Sequence, residues 1–298
     1  MLNKLSHILT LLFIGISIGY SFHGDAQFKN LEIITKKVYT FAVESTLTSI
    51  TSEVIFLTDK KDSVRGKIRC PRGENKNKYP LAFMLVGIET GRNAVDLIEE
   101  CDSVIIFSID FPIKSSLDFS GWEGITTLIK LRDAGFKNLS EIVMALDWLC
   151  SLSIVDTANI TFIAVSFGVF TAVPIAATDN RVSRLVVVQA GGDLYAVFKR
   201  NAERMGVIIP DWLAGWIGAI ILEPFEPNNY IHKVSPRLFI MITGDSDFIF
   251  PHSSSQSLYD RANEPKEWIK HHSIHVAPNE KELIIELTNL INKRLYGR

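Results

Sequence analysis

The sequence predicts an α/β fold: a mostly parallel central sheet flanked by helices, with antiparallel strands ahead of it and a helical insertion late in the chain. Three observations carry this. Apolar runs of strand length recur without alternation at Leu81–Val86, Val104–Ile109, Ile160–Val165, Leu185–Val188 and Leu238–Thr243, as a parallel sheet covered on both faces requires. Helical patterns lie between those runs, the rhythm of a doubly wound sheet. Before them, Val38 to Arg69 is rich in Val, Ile, Thr and Phe and alternates as half-buried antiparallel strands do.

In chain order, residues 1–26 stand apart from the fold. Lys4 gives a positive start, and Ile8–Tyr20 is an apolar stretch of secretory length, shorter than the ~20 residues of a full span. A cleaved export signal ending near Ala26 and a retained membrane anchor both fit, so the protein is expected to be exported, periplasmic or secreted, and to meet a membrane only through this segment. Residues 27–298 then form one domain. Val38–Ala42, Ile50–Leu57 and Val64–Arg69 read as antiparallel strands at one edge of the sheet, and Pro71–Tyr79 as a polar turn. Helices are expected at Ala94–Glu100, at Ser140–Leu152 and at Glu280–Leu295, where Leu283, Leu287, Leu290 and Leu295 share one side. Between the strands at Leu185–Val188 and Leu238–Thr243 the chain is too long and too apolar for a plain loop. Residues 194–229 are expected to form a cap-like insertion carrying a helix at Trp212–Leu222. Trp212 and Trp216, four residues apart on one helix face, are its weakest-supported candidates for a substrate pocket.

Composition excludes several functions. With 31 Lys+Arg against 33 Asp+Glu, the net charge of −2 leaves no electrostatic footprint for nucleic acid. Hydrophobic residues at 47% are enough for a large core, and no later run is long enough for a bilayer span. Cys70, Cys101 and Cys150 form no C-x-x-C and stand beside no His, so neither a metal cluster nor a redox motif is expected, and the three thiols are expected to be unpaired. The loop G-I-E-T-G-R after Leu81–Val86 lacks the G-x-G-x-x-G pattern and the Walker Lys, so no nucleotide cofactor is expected.

The chemistry is concentrated in N-I-T-F-I-A-V-S-F-G-V-F, Asn159–Phe170. A buried strand runs into Ser166, with Ala164 two before and Gly168 two after. A serine on so sharp a strand-to-helix turn projects its Oγ above the sheet, and small residues on both sides let the backbones approach. Serine needs a base, and the base needs an orienting carboxylate. After the strand Leu238–Thr243, G-D-S-D-F-I-F-P offers Asp245 and Asp247. Asp247 is the expected acid, since Asp245 directly follows Gly244 and suits a turn. Lys266–His271 reads as the last strand. Among His271, His272 and His275, the last is the expected base because it lies on the following loop, with His272 as the alternative. Backbone amides of Phe167 and of Gly87 or Ile88 would form the oxyanion hole.

These segments, with S-I-H-V at 273–276, resemble the α/β-hydrolase superfamily, nearest its dienelactone-hydrolase and prolyl-oligopeptidase-like esterase branches. The resemblance spans roughly Val38 to Arg298. It implies a serine hydrolase of the α/β-hydrolase fold that cleaves a small uncharged carboxylic ester through Ser166, Asp247 and His275, without a cofactor or metal. A peptidase or amidase of the same fold and a non-catalytic binding or scaffold protein are the alternatives. Four positions depart from the pattern: Ala164 replaces a glycine, Pro174 falls in the helix after the nucleophile, Ile274 precedes the base, and the oxyanion loop lacks its usual His.

Overall fold

Strands β1 (Thr35–Ser45), β2 (Ser49–Thr58) and β3 (Ser63–Pro71) form an antiparallel meander at one edge of a nine-stranded sheet. The computed structural model describes residues 33–59, 62–73, 78–99, 103–113, 117–119 and 123–296. The expected segment 1–26 and Cys101 lie outside these residues. β2 buries Ser49, Thr51, Val54, Phe56 and Thr58, following the period-2 pattern read from the sequence.

β3 pairs antiparallel with β5 (Ile105–Ile109), and from there the sheet is parallel: β5, β4 (Tyr79–Leu85), β6 (Val155–Val165), β7 (Arg184–Val188), β8 (Leu238–Ser246) and β9 (Lys266–Ile274). The order β5-β4-β6 places β4 at the topological switch. From there the chain steps to one side and then returns to the other, which opens a crevice at the carboxyl ends of the strands.

One face of the sheet carries Leu81, Phe83, Phe107 and Phe162, whose rings meet edge to face about Phe83. A long helix, α2 (Glu123–Ser151), brings Trp148 to this face against Phe107 and Phe56, and α3 (Val169–Thr178) packs beside it. The other face carries Ala82, Met84, Ile106, Ile163, Val186 and Ile240. Its cover is slighter: α1 (Ala94–Leu97), preceded by a single 3-10 turn at Gly91–Asn93, and α7 (Lys281–Tyr296) with Leu283, Leu287 and Ile291.

Some element boundaries differ from the sequence reading. The helix expected at Ala94–Glu100 stops at Leu97, where Ile98 turns extended. The helix expected at Ser140–Leu152 begins at Glu123. Its first half escapes the pattern because Gly124 and Gly135 interrupt it. At Gly135 a Cβ would stand 2.6 Å from the Phe225 ring, so the position exchanges ~1 kcal/mol of helix propensity for that close packing. Pro174 lies inside α3, which runs on to Thr178.

The insertion is helical: α4 (Leu194–Met205), α5 (Asp211–Ile221) and three 3-10 turns before β8. Gly215 and Gly218 form the contact face of α5. A Cβ on Gly215 would meet the Tyr195 carbonyl and Lys199, and one on Gly218 the Phe198 ring. Asp193 caps α4 through Ala196 N, and the Glu226 carboxylate accepts from the amides of Asp193 and Leu194. No described helix is long and apolar enough to cross a membrane. α6 (His252–Arg261) completes the helices between β8 and β9.

Candidate active site

β6 delivers Ser166 at the carboxyl edge of the sheet. The residue holds φ at +52°, in the left-handed region, and a 3-10 turn Ser166–Gly168 leads straight into α3. The reason for Gly168 is steric: a Cβ there would lie 1.9 Å from the Leu85 carbonyl oxygen of β4. Ala164 fits because it is already inside the sheet, fully buried between Leu85 and Val187. The turn is thus pressed against the end of β4, whose following loop begins at Gly87.

Asp247 follows β8. Its Oδ1 accepts from the amides of Ile249 at 2.8 Å and Phe250 at 3.0 Å, which fixes the carboxylate from behind. Its Oδ2 lies 2.9 Å from His275 Nδ1, and both side chains are 6% exposed. A carboxylate only accepts, so Nδ1 donates and Nε2 is left as an acceptor. His275 Nε2 stands 2.9 Å from Ser166 Oγ. The imidazole stacks on Phe250 at 6.0 Å and meets Phe248 edge-on. The structure therefore brings Ser166, Asp247 and His275 into one hydrogen-bonded line.

The competing acid and base form a separate pair. His272 Nδ1 hydrogen-bonds Asp245 at the surface, where that bond holds the Asp245 carboxyl below the usual range. His272 is 95% exposed. His271 lies on β9, with Nε2 3.5 Å from Glu286.

One buried side chain at the site escaped the sequence reading. Gln189, at the end of β7, has φ +45° and is 1% exposed. Its Nε2 donates to the Ile274 carbonyl at 2.7 Å and to Ser273 Oγ at 3.0 Å, and its Oε1 accepts from Val276 N. A single amide thus grips the backbone on both sides of His275. The signal available in the sequence was a polar residue closing the apolar run L-V-V-V-Q at the carboxyl edge of a strand.

The loop after β4, where the oxyanion amides were expected, is strapped from its far side. Gly87 O accepts from Thr90 N and Gly91 N. Gly91 has φ +45°, and a Cβ there would meet Asp110 Oδ1 at 2.6 Å. Asp110 accepts from Arg92 N and pairs with the Arg92 guanidinium, which also holds Glu53 of β2. Ser108 Oγ lies within hydrogen-bond distance of the Met84 and Gly91 carbonyls. Phe167 is wedged between Phe111 and Phe170.

A cavity of about 430 Å³ adjoins these groups. Gly87, Ile88, Ser166, Phe167 and His275 all line it, and its size is that of a small-molecule pocket. Trp212 and Trp216 do not line it, nor does any other residue of 194–229. Trp212 is 55% exposed on α5, whose packing surface faces α4 and α2. Gly215 and Gly218 of W-L-A-G-W-I-G set the contact face of that helix, and the two tryptophans, weak candidates for a substrate pocket, lie outside this cavity. Cys70 and Cys150 are free thiols; burial pushes Cys70 up to about 11.

Comparisons with known proteins follow the same lines. Residues 218–287 match the model of the FSH1 serine hydrolase family, a stretch that holds Asp247 and His275 but not Ser166. No curated protein matches the chain. Among solved structures, acetyl xylan esterase 1 from Thermoanaerobacterium sp. JW/SL YS485 is 13% identical, with 92% of this chain and 93% of that one covered at a TM-score of 0.63. The acetyl xylan esterase from Paenibacillus sp. R4 is 16% identical, with 90% and 92% covered at 0.63. The α/β hydrolase GrgF from Penicillium sp. sh18 is 15% identical, with 83% and 99% covered at 0.58. At such identities the likeness is one of fold, and it extends over nearly the whole of each chain. With its strand order and its serine turn after β6, this chain has the α/β-hydrolase fold.

Proposed function

We propose that the protein is a serine hydrolase that cleaves a carboxylic ester by acyl transfer. The observation that carries this is a single imidazole, His275, bonded through Nε2 to a hydroxyl on a strained strand-to-helix turn and through Nδ1 to a buried carboxylate. On this reading Ser166 Oγ attacks the ester carbonyl carbon while His275 Nε2 takes the hydroxyl proton. The carbonyl oxygen becomes an oxyanion held by the amides of Phe167 and Ile88. Collapse breaks the bond to the alcohol oxygen, which leaves with the proton from His275. Water then attacks the acyl-serine by the same route, releasing the acid and restoring Ser166. Asp247 stays ionised and keeps Nδ1 protonated. The partial match to a serine hydrolase family and the fold shared with esterases support the assignment.

A fluorophosphonate probe tests it. The full chain is expected to label at Ser166, and Ser166→Ala to abolish both labelling and hydrolysis of p-nitrophenyl esters. A wild-type chain that is folded and unlabelled would sink the assignment.

A further inference from the structure

Resting on that esterase reading, we infer that the acyl chain of the substrate lies down the thinly covered face of the sheet, and that the site is built for an unbranched medium-length acyl group. The argument starts with what covers the sheet. Parallel strands need helices on both faces. On one face α2 supplies 29 residues, whereas among the described residues the β4–β5 crossover contributes on the other only a 3-10 turn and the four residues of α1. Apolar strand residues facing α1 therefore border open space where a longer helix would have filled it. Ala82, Met84, Ile106 and Ile163 line the cavity from the sheet, and Leu287 and Ile291 line it from α7.

Register gives the direction and depth. Leu85 pairs with Ala164, so Gly87 and Ser166 stand level at the upper end. Ala82, Met84 and Val86 point to the same face below them, and four residues at ~3.3 Å each give a channel of ~13 Å, the length of an extended chain of roughly ten carbons. Both the deep wall at Ala82 and the α1 wall at Ala94 are small residues, which leaves the width free. Ser166, His275, Glu89 and Thr90 make the upper end polar, while half-buried Thr288, Asn292 and Tyr296 are the polar members on the α7 side. An apolar space of this volume forfeits packing while empty, and a hydrocarbon chain restores it. An acyl group seated here has its carbonyl at Ser166 between the amides of Phe167 and Ile88, and it makes no use of the insertion helices.

Chain-length profiling of the full chain with p-nitrophenyl esters from acetate to dodecanoate tests this. Each buried methylene contributes to binding, so kcat/KM is expected to rise by at least about tenfold from acetate to octanoate. Ala82→Leu narrows the deep end and is expected to lower the octanoate-to-acetate ratio by about tenfold or more. Ile291→Phe does the same from the helix side and serves if Ala82→Leu does not fold. A labelled, active wild type that hydrolyses acetate best, or a folded variant with an unchanged ratio, overturns the acyl-channel inference while leaving the esterase assignment standing. Absence of labelling overturns both.

Discussion

Ser166 occupies a left-handed backbone conformation that costs a non-glycine residue ~1–3 kcal/mol. The surrounding backbone enforces it, since Gly168 lies against the Leu85 carbonyl and closes the turn. Ser166, Asp247 and His275, which the fold brings into one hydrogen-bonded line, were legible in the sequence because each is a polar side chain with a fixed place just past the end of a strand. Gln189 was not, because it works mainly through main-chain atoms of residues 85 and 87 positions away, and no local pattern announces such a contact. Its importance is open to measurement. Gln189→Leu removes the bonds from this amide to Ser273, Ile274 and Val276, and misplacement by ~1 Å costs on the order of 100-fold. Expected is a fall in kcat of about tenfold to a hundredfold with KM within about twofold, because the binding cavity keeps its walls. Gln189→Glu keeps the acceptor for Val276 N and should recover part of the loss. An equal rise in KM with no change in kcat would remove Gln189 from this role.

At the scale of elements, the strands were easier to read than the helices. Continuous apolar runs mark the cores of β4 to β8, although β6 begins five residues earlier, at Val155, and β8 runs three residues further, to Ser246. The helix α2 was half visible, since its glycines trade periodicity for contact with Phe225, and α1 was overestimated. α2 also carries a buried charge that sequence patterning passes over. Glu141 is 3% exposed in its side chain, and burial pushes its carboxyl up to about 7, partly offset by Lys137 at 4.0 Å. Below pH 4.5 both folded and unfolded chains hold the proton. As the pH rises from there to about 7, the unfolded chain releases it first, so this group's contribution to stability is lost across that window. The loss amounts to about 3 kcal/mol at ~1.4 kcal/mol per pH unit. Glu141→Gln is expected to remove this part of the pH dependence, so that urea midpoints at pH 5 and pH 8 lie closer together than in the wild type. Parallel shifts in the two proteins would show that the carboxyl titrates normally.

For the whole molecule, the α/β class and the leading antiparallel strands followed from the sequence, while the location of the pocket did not. The insertion was expected to roof the site because it is apolar. In the fold it packs on itself, on α2 and on α6, and reaches the 248–249 loop through Asn201 and Arg204 without lining the cavity, which lies instead where the described part of a crossover covers its strands thinly. No residue pattern encodes a missing helix. A global consequence can be read by calorimetry: an octyl phosphonate bound to Ser166 fills the space, and a methyl phosphonate leaves it empty. The octyl adduct is expected to melt at least about 3 °C above the methyl adduct, at ~2–4 °C per kcal/mol for a domain of this size. Equal melting temperatures would mean that the alkyl chain lies outside the protein.

His275, the proposed base, comes from the loop after β9, the edge strand of the sheet, and it lies 109 residues beyond Ser166, the proposed nucleophile. During synthesis the ribosome therefore releases the serine long before its partner exists. The elbow after β6 can close on β4 while the hydroxyl still has an ordinary alcohol's reactivity, because nothing yet draws off its proton. On the proposed mechanism, docking of the outermost strand is then the event that arms the protein, and a nascent chain that still lacks it carries a disarmed serine.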